Sequence, residues 1–389
     1  MSDRWSRQRS YLRSLQQRDR YRSLLARRVE GKYLLEPGGQ RLLHFGSNYY
    51  LGALAGRHEG DHNEDDQVLS GAGSSPLVAG HSPEHQWLAR AIAELENAER
   101  AIVFATGYAA CSGVASTLAT ADDLILSDEL NHASLIDGCR LSRARREVFP
   151  HRAVEFVKRY LAAHRDSYEQ VWLFTESVFS MDGHVAPLEE LLDVCERHDV
   201  NLVVDEAHAT GVLGASGGGL CTHLGIEDRI ALRIGTLSKA VGHQGGFAAG
   251  PGVLMDYLVN RCRPLIFSTA LAPRVAASAA RMIASLPSRG AERQRVAALA
   301  KLCRQKLSIA SEGIEREIPI IPFLVGQDGD AVRLQNALRA DGIYVPAIRP
   351  PTVAEGTARL RISLTAIHDD DDVQRLVHAI HRHWPARAA

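Results

Sequence analysis

Net charge is nearly missing from this sequence: 45 Lys and Arg stand against 46 Asp and Glu. No overall field therefore draws the chain to nucleic acid or to an anionic membrane, and partners must be sought in local sites. Paired cysteines are missing too. Cys111, Cys139, Cys195, Cys221, Cys262 and Cys303 lie far apart with no CxxC. That spacing excludes a zinc ribbon or a dense disulfide framework, leaves no metal site to expect, and fits a reducing cytoplasm. An apolar leader is also lacking. Residues 1–28, MSDRWSRQRSYLRSLQQRDRYRSLLARR, are polar and arginine-rich, which reads as a solvated amphipathic helix and not as a secretory signal; Asp3 and Asp19 argue against a transit peptide. The uncharged stretch from Ala101 to Ala121 approaches the ~20 residues of a membrane span. It is mostly alanine, is broken by Thr106, Gly107, Ser112 and Gly113, and follows the charged ELENAER, so it reads as a buried strand-turn-helix. No internal repeat, low-complexity tract or long linker is found.

What is present is 389 residues, 45% hydrophobic and 23% charged, enough to bury the core of one large domain and a smaller one. Short apolar, β-branched runs alternate with helical patterns: AIVF (101–104), DLILS (123–127), VWLFTE (171–176), NLVVDEA (201–207), ALRIGT (231–236) and GGFAAG (245–250). Runs such as LVVDE are apolar on both faces, as strands are when helices cover both sides of a mostly parallel sheet. An α/β fold is predicted, with ligands at the strand C-termini. Beyond about residue 275 the texture changes to an alanine- and arginine-rich helix, then IPIIPFLVG, a helix through LQNALRADG, YVPAIRPPTV, the strand-like ARLRISLTA and a final helix. The expected division is residues 1–48 as an N-terminal segment joining the small domain through RLLHF, 49–275 as the large domain, and 276–389 as the small α+β domain.

The strongest local signal is TLSKAVGHQGGF, where Lys239 follows a predicted strand and a Thr-Leu-Ser turn and precedes glycines that allow close backbone approach. A lone lysine is usually a solvated charge. Its weight comes from VVDEAHATG, in which Asp205 ends an apolar strand and His208 lies three residues on. A carboxylate buried there needs a cationic or hydrogen-bonding partner, and a pyridinium N–H is such a partner. Pairing Asp205 with the ring nitrogen of pyridoxal phosphate, with Lys239 as imine-former, keeps the ring an electron sink. FATGYAAC offers Thr106, Gly107 and Tyr108 at a strand-to-helix turn suited to a phosphate, and the hydroxyls of Thr236 and Ser238 are placed to complete that cradle. His132, after DLILS, and Ser180, in TESVFSMDG, fall at two more predicted strand ends. Each alone has an ordinary structural explanation as a cap or turn former; together they describe one site.

In these residues the chain resembles the α-oxoamine synthases, a family of fold-type I pyridoxal-phosphate enzymes, from about Phe45 to the C-terminus. The resemblance rests on SNYYLG, GAGSSPLVAGHSPEHQWLA, NHASLIDG, TESVFSMDGHVAPL, DEAHATGVLG, TLSKAVGHQGGF, FSTA and GTARLRISLTA, in the family's order and approximate spacing. It implies a transferase that condenses an amino acid with an acyl thioester and releases CO2. Lys239 would be the Schiff-base lysine and the base at the amino acid's Cα, Asp205 the partner of the pyridine nitrogen, and His132 the residue stacked on the ring. His208 and Ser180 would lie near the ring hydroxyl, with Gly107 and Tyr108 as backbone phosphate donors beside Thr236. Thr269, in FSTA, would reach the phosphate from a second subunit, so a homodimer is expected. Arg361 would clamp the substrate carboxylate; period-two geometry puts Arg359 on the same face, and the family pattern favours Arg361. Asn48, Ser75 and Thr352 are the further substrate contacts expected; in the arginine-rich N-terminal segment, Arg27 and Arg28 are candidates to meet an acidic carrier or the CoA phosphates, with a solvated helix face as the favoured alternative.

The segment VPAIRPPTVAEGTARLRISLTA is similar to the biotin-pathway branch of the family, which implies L-alanine and a pimeloyl thioester, carried by CoA or a carrier protein, as substrates. Departures from the family pattern fall at Tyr49, Ser74, Pro76, Ala209 and Cys111. None is in the ring-binding set, whereas Tyr49, Ser74 and Pro76 lie where the family handles substrate. Another member of the family, using glycine or serine, or a longer acyl thioester, is the alternative. A non-catalytic partner subunit is the remote one, and the presence of Lys239 speaks against it.

Overall fold

The runs that are apolar on both faces form the middle of a seven-stranded sheet in the computed structural model, which describes residues 4–52 and 68–384. Across the sheet the order is Arg100–Phe104, Gly246–Gly250, Leu232–Thr236, Asn201–Asp205, Val171–Glu176, Leu124–Asp128 and Arg145–Phe149. Neighbours are parallel except at Gly246–Gly250, which is antiparallel to both of its partners. Leu124–Asp128, Val171–Glu176 and Leu232–Thr236 are buried at every residue, as expected of strands covered on both faces. Arg145–Phe149 is absent from the sequence-based set of strands. Its sequence, RREVF, is largely exposed, and an edge strand with charged side chains carries no apolar run to reveal it.

Helices form where caps and periodicity agree. Pro83–Leu95 starts after Ser82, with proline in its first turn and a reciprocal cap between Ser82 and His85; it buries Leu88, Ala91, Ile92 and Leu95 at helical spacing. Ala101–Ala121 is divided between the strand Arg100–Phe104 and the helix Gly107–Leu118. No helix among the described residues is long and apolar enough to cross a membrane. Phe104, Val114, Phe174, Ile234 and Met255 share one buried cluster between sheet and helices, each full apolar burial contributing about 2 kcal/mol.

The described residues divide into a larger unit, 68–180 and 184–294, and a smaller one, 4–52, 181–183 and 295–384. The boundary expected at 275/276 falls inside the helix Pro273–Ser285. That helix packs on Pro83–Leu95 within the larger unit. The residue type alone, alanine-rich helix, could not say which core it joins.

In the smaller unit, Ile320–Gly326, Ala358–Ser363 and Ala347–Ile348 form an antiparallel sheet around the central strand Ala358–Ser363. A second sheet carries Arg28–Glu30, Tyr33–Leu35 and Arg41–His44, with Ile343–Tyr344 added in parallel. The closing helix Asp370–His383 shows why its sequence is helical. Asp369 and Asp372 cap each other reciprocally, three acids occupy the first turn and His381, Arg382 and His383 the last, matching the helix dipole at both ends. Val373, Leu376, Val377 and Ile380 face the core. The helix Ser6–Gln17, by contrast, buries nothing, in keeping with its arginine-rich, solvated composition.

Candidate active site

Parallel strands end on one edge of a sheet, and here those ends carry the polar residues. Asp205 closes Asn201–Asp205, Glu176 closes Val171–Glu176 and Thr236 closes Leu232–Thr236. His132 caps the helix that follows Leu124–Asp128. They line a cavity of about 290 Å³ in the larger unit, together with Gly107, Tyr108, Cys111, His208, Ser238 and Lys239. Small-molecule sites start near ~300 Å³. Ser180 is buried just beyond Glu176 in sequence and is not part of that lining.

One end of the cavity suits a phosphate. The helix Gly107–Leu118 begins there, with the Thr106 hydroxyl accepting from the Ala109 N–H at 3.0 Å and the Thr106 carbonyl from the Ala110 N–H at 3.1 Å. The N–H groups of Gly107 and Tyr108 come earlier in the same turn, where free donors and the helix dipole favour an anion. Thr236 Oγ1 lies 2.9 Å from Ser238 Oγ and donates to the Gly245 carbonyl at 3.0 Å. A side chain at 107 would put its Cβ 2.7 Å from Thr236 Oγ1, so only glycine preserves this opening. Gly246 serves differently from the expected approach to a ligand: its strand packs on the 106–107 turn, and a Cβ there would meet Gly107 Cα at 2.6 Å.

The other end suits a protonated ring nitrogen. Asp205 is buried, with Oδ1 accepting from the Ala207 N–H at 2.9 Å and Oδ2 from Cys111 Sγ at 3.2 Å. Burial, and then the Asp205 charge, push the Cys111 thiol well above its ordinary range, so it stays a donor. His132 Nδ1 is 2.7 Å from Ser134 Oγ. Burial lowers the His132 pKa, partly opposed by Asp205, keeping the imidazole neutral at its place on the cavity wall. Tyr108 is half-exposed, and its hydroxyl donates to Asp137 Oδ2 at 2.5 Å. A glycine-dependent anion cradle, a buried carboxylate and a lysine in one cavity are the donor set that pyridoxal phosphate requires, so the residues fit the cofactor.

Glu176 is the cavity residue that the sequence reading passed over. Its side chain is buried and Oε1 has no hydrogen-bond partner. The signal was available in VWLFTE: an acid ending a fully apolar strand, the feature that singled out Asp205.

The expected substrate residues are distributed between the units. Arg361 is buried in the smaller unit and donates to Asn48 Oδ1 at 3.0 Å and Ser363 Oγ at 2.7 Å. Arg359, on the same face of the strand, pairs with the Asp182 carboxylate. Arg27 is engaged by Glu36 at 3.2 Å and lies over the Tyr344 ring, while Thr352 is exposed beside Arg349. In the larger unit, the Ser75 carbonyl accepts the N–H groups of Val78, Ala79 and Gly80. Thr269 is exposed and lines a second cavity of about 660 Å³, apart from Lys239.

This geometry defines a pyridoxal-phosphate-dependent transferase of fold type I. The family model for class I and II aminotransferases matches residues 42–380. The chain is 42% identical to the 8-amino-7-oxononanoate synthase of Anaeromyxobacter dehalogenans strain 2CP-1, over 89% of this chain and 87% of that one. Among solved structures it is similar to the serine palmitoyltransferase of Sphingomonas wittichii, with TM-score 0.89, 30% identity and 98% of both chains covered. It is also similar to the 8-amino-7-oxononanoate synthase of Francisella tularensis, with TM-score 0.72, 27% identity and 88% and 97% covered. The chain belongs to the α-oxoamine synthases, the pyridoxal-phosphate-dependent acyltransferases of the class I and II aminotransferase family.

Proposed function

We propose that the chain condenses L-alanine with a pimeloyl thioester, on CoA or a carrier protein, and releases 8-amino-7-oxononanoate, CO2 and the free thiol for biotin synthesis. The observation that carries this reading is 42% identity to an 8-amino-7-oxononanoate synthase over 89% of the chain, on a chain whose strand-end cavity fits the cofactor. Pyridoxal phosphate, when bound, supplies the electron sink for negative charge at the amino acid's Cα.

The residues then divide the work. Lys239 would hold the cofactor covalently through its amine, and with the amino acid bound that amine would take the proton from Cα and later return one. Asp205 would keep the cofactor's ring nitrogen protonated, a pairing that its buried position would strengthen. His132, His208 and Ser180 would hold the cofactor's ring in place, and Gly107, Tyr108 and Thr236 would hold its phosphate. Arg361 receives the amino-acid carboxylate, for which a planar guanidinium is better suited than an ammonium; Asn48, Ser75, Thr352 and Arg27 complete the substrate contacts. The working unit is a cytoplasmic homodimer in which Thr269 of a second copy reaches the phosphate.

A second reading, glycine or serine as the amino acid or a longer acyl thioester, is favoured by the structural likeness to serine palmitoyltransferase and by Tyr49, Ser74 and Pro76. One assay separates the two. Purified protein with pyridoxal phosphate is offered L-alanine, glycine or L-serine with pimeloyl or palmitoyl thioesters, and the product mass is read. The proposal predicts the 8-amino-7-oxononanoate mass from L-alanine with pimeloyl thioester; a product only with serine or glycine, or only with the long chain, overturns it.

A further inference from the structure

Two buried acids stand side by side in the cofactor cavity, and the chemistry above uses one of them. Glu176 and Asp205 are directly paired in register on adjacent parallel strands, so their side chains project to the same face. Both are almost fully buried, at 2% and 4% exposure, and both line the cavity. Their surroundings differ. Asp205 receives the Ala207 N–H and the Cys111 thiol. The backbone N–H groups of His132 and Ser180 act on the Glu176 carboxyl, while Oε1 is left with no partner. The same strand end is tied to the His132 loop a second time. Asn131 accepts from the Glu176 N–H at 3.2 Å and donates to the Phe174 carbonyl at 2.8 Å.

We propose that Glu176 is a positioning residue for the cofactor: its carboxyl joins the loops that carry His132 and Ser180 and presents Oε1 to the bound cofactor as a neutral hydrogen-bonding group. The reasoning is electrostatic as well as geometric. Two neighbouring carboxylates in a water-poor cavity do not both stay ionised. Asp205 has the donors, and the cofactor's ring nitrogen adds another; Glu176 has the deeper burial. Burial first, and then the Asp205 charge, push the Glu176 carboxyl well above the usual carboxylate range. A protonated Glu176 leaves Asp205 as the single anion facing the ring, so the ring nitrogen has one proton acceptor and not two. It also explains an orphaned buried oxygen, which is otherwise costly.

This inference rests on the assignment of the cavity to pyridoxal phosphate through Lys239, and the test keeps the two apart. The parent protein, Glu176→Gln and Glu176→Ala are stripped of cofactor and titrated with pyridoxal phosphate. Dissociation constant, visible circular dichroism and the pH dependence of the lysine-linked absorbance are recorded, with far-UV melting as the check on folding. Glu176→Gln, neutral and of the same shape, should bind within about threefold of the parent with an unchanged pH midpoint. Glu176→Ala should bind about tenfold more weakly or worse, with a diminished visible dichroic band, because a buried hydrogen-bond junction is lost. If Glu176→Ala fails to fold, Glu176→Gln decides alone, since removing an ionised carboxylate would move the midpoint by about a unit. An unchanged constant and band in a folded Glu176→Ala, or a shifted midpoint in Glu176→Gln, overturns the proposal. Absence of lysine-linked absorbance in the parent would instead overturn the Lys239 assignment.

Discussion

The larger unit gathers buried acids around a cavity, whereas the smaller unit buries bases against partners of its own. Around the cavity, Asp205 and Glu176 lie next to a thiol and a neutral imidazole, and a buried carboxyl oxygen is left without a partner. In the smaller unit Arg304 donates to the carbonyls of Ile318 and Ile320, Arg359 pairs with Asp182, and Arg361 donates to Asn48 and Ser363. His368 stacks on Phe45 and contacts the His44 carbonyl at 3.2 Å. The difference separates two uses of buried polarity. At the cavity, the unpartnered Glu176 Oε1 stands beside groups that a ligand can complete, whereas Arg304 and Arg359 already have their partners in place.

The comparison breaks most visibly at Lys239. Lys239→Ala should lower turnover on the order of 10³-fold or more and abolish the lysine-linked absorbance, read by steady-state assay and spectrum, while melting stays close to the parent. The two strand arginines come next and should separate. Arg359→Ala leaves the part-buried Asp182 carboxylate without this partner and should cost about 1–3 kcal/mol of stability in denaturant titration. Arg361→Ala should chiefly raise KM for the amino acid, about 10–100-fold, with a smaller effect on melting. Equal effects of both changes on stability, and none on KM, would remove the distinction.

Acid should act on the smaller unit through His44 and His368. Burial lowers each to about 4 from an ordinary 6.5, so the folded state holds fewer protons than the unfolded state between those values. Stability is therefore present above about pH 6.5 and lost as pH falls toward 4, by up to about 3 kcal/mol per histidine. His368→Gln should flatten part of that loss in denaturation curves measured from pH 7 to 4. The smallest effect is expected at Cys111. Cys111→Ala removes one weak donor to Asp205 and should weaken cofactor binding by less than about tenfold, and Cys111→Asn, which restores a donor, should recover it. A larger loss in the asparagine variant than in the alanine variant would show that space and not donation matters there.

Much of the larger unit was legible because buried parallel strands write themselves as apolar runs and end in the residues that meet a ligand. Asp205, His132 and Thr236 sit at those ends, and Lys239 follows the last of them. RREVF was not legible, since an exposed edge strand has no such run. Glu176 was legible in principle but was absorbed into its strand. The contact between Cys111 and Asp205 was not, because 94 residues separate a helix from a strand that the fold brings to 3.2 Å. Period-two logic could not divide Arg359 from Arg361, and the different partners they have in the fold were not legible in it. The expected boundary at 275/276 failed to anticipate that the helix Pro273–Ser285 packs within the larger unit, a fact of tertiary packing that composition does not carry.

The central claim is that the strand-end cavity holds pyridoxal phosphate on Lys239. The most direct measurement is borohydride reduction of the protein reconstituted with pyridoxal phosphate, followed by peptide mapping for the pyridoxyl mass increment. The other lysines, Lys32, Lys158, Lys301 and Lys306, serve as internal controls. A single increment on the peptide containing Lys239 is the predicted result. Labelling spread over the other lysines, or none at Lys239, would contradict it.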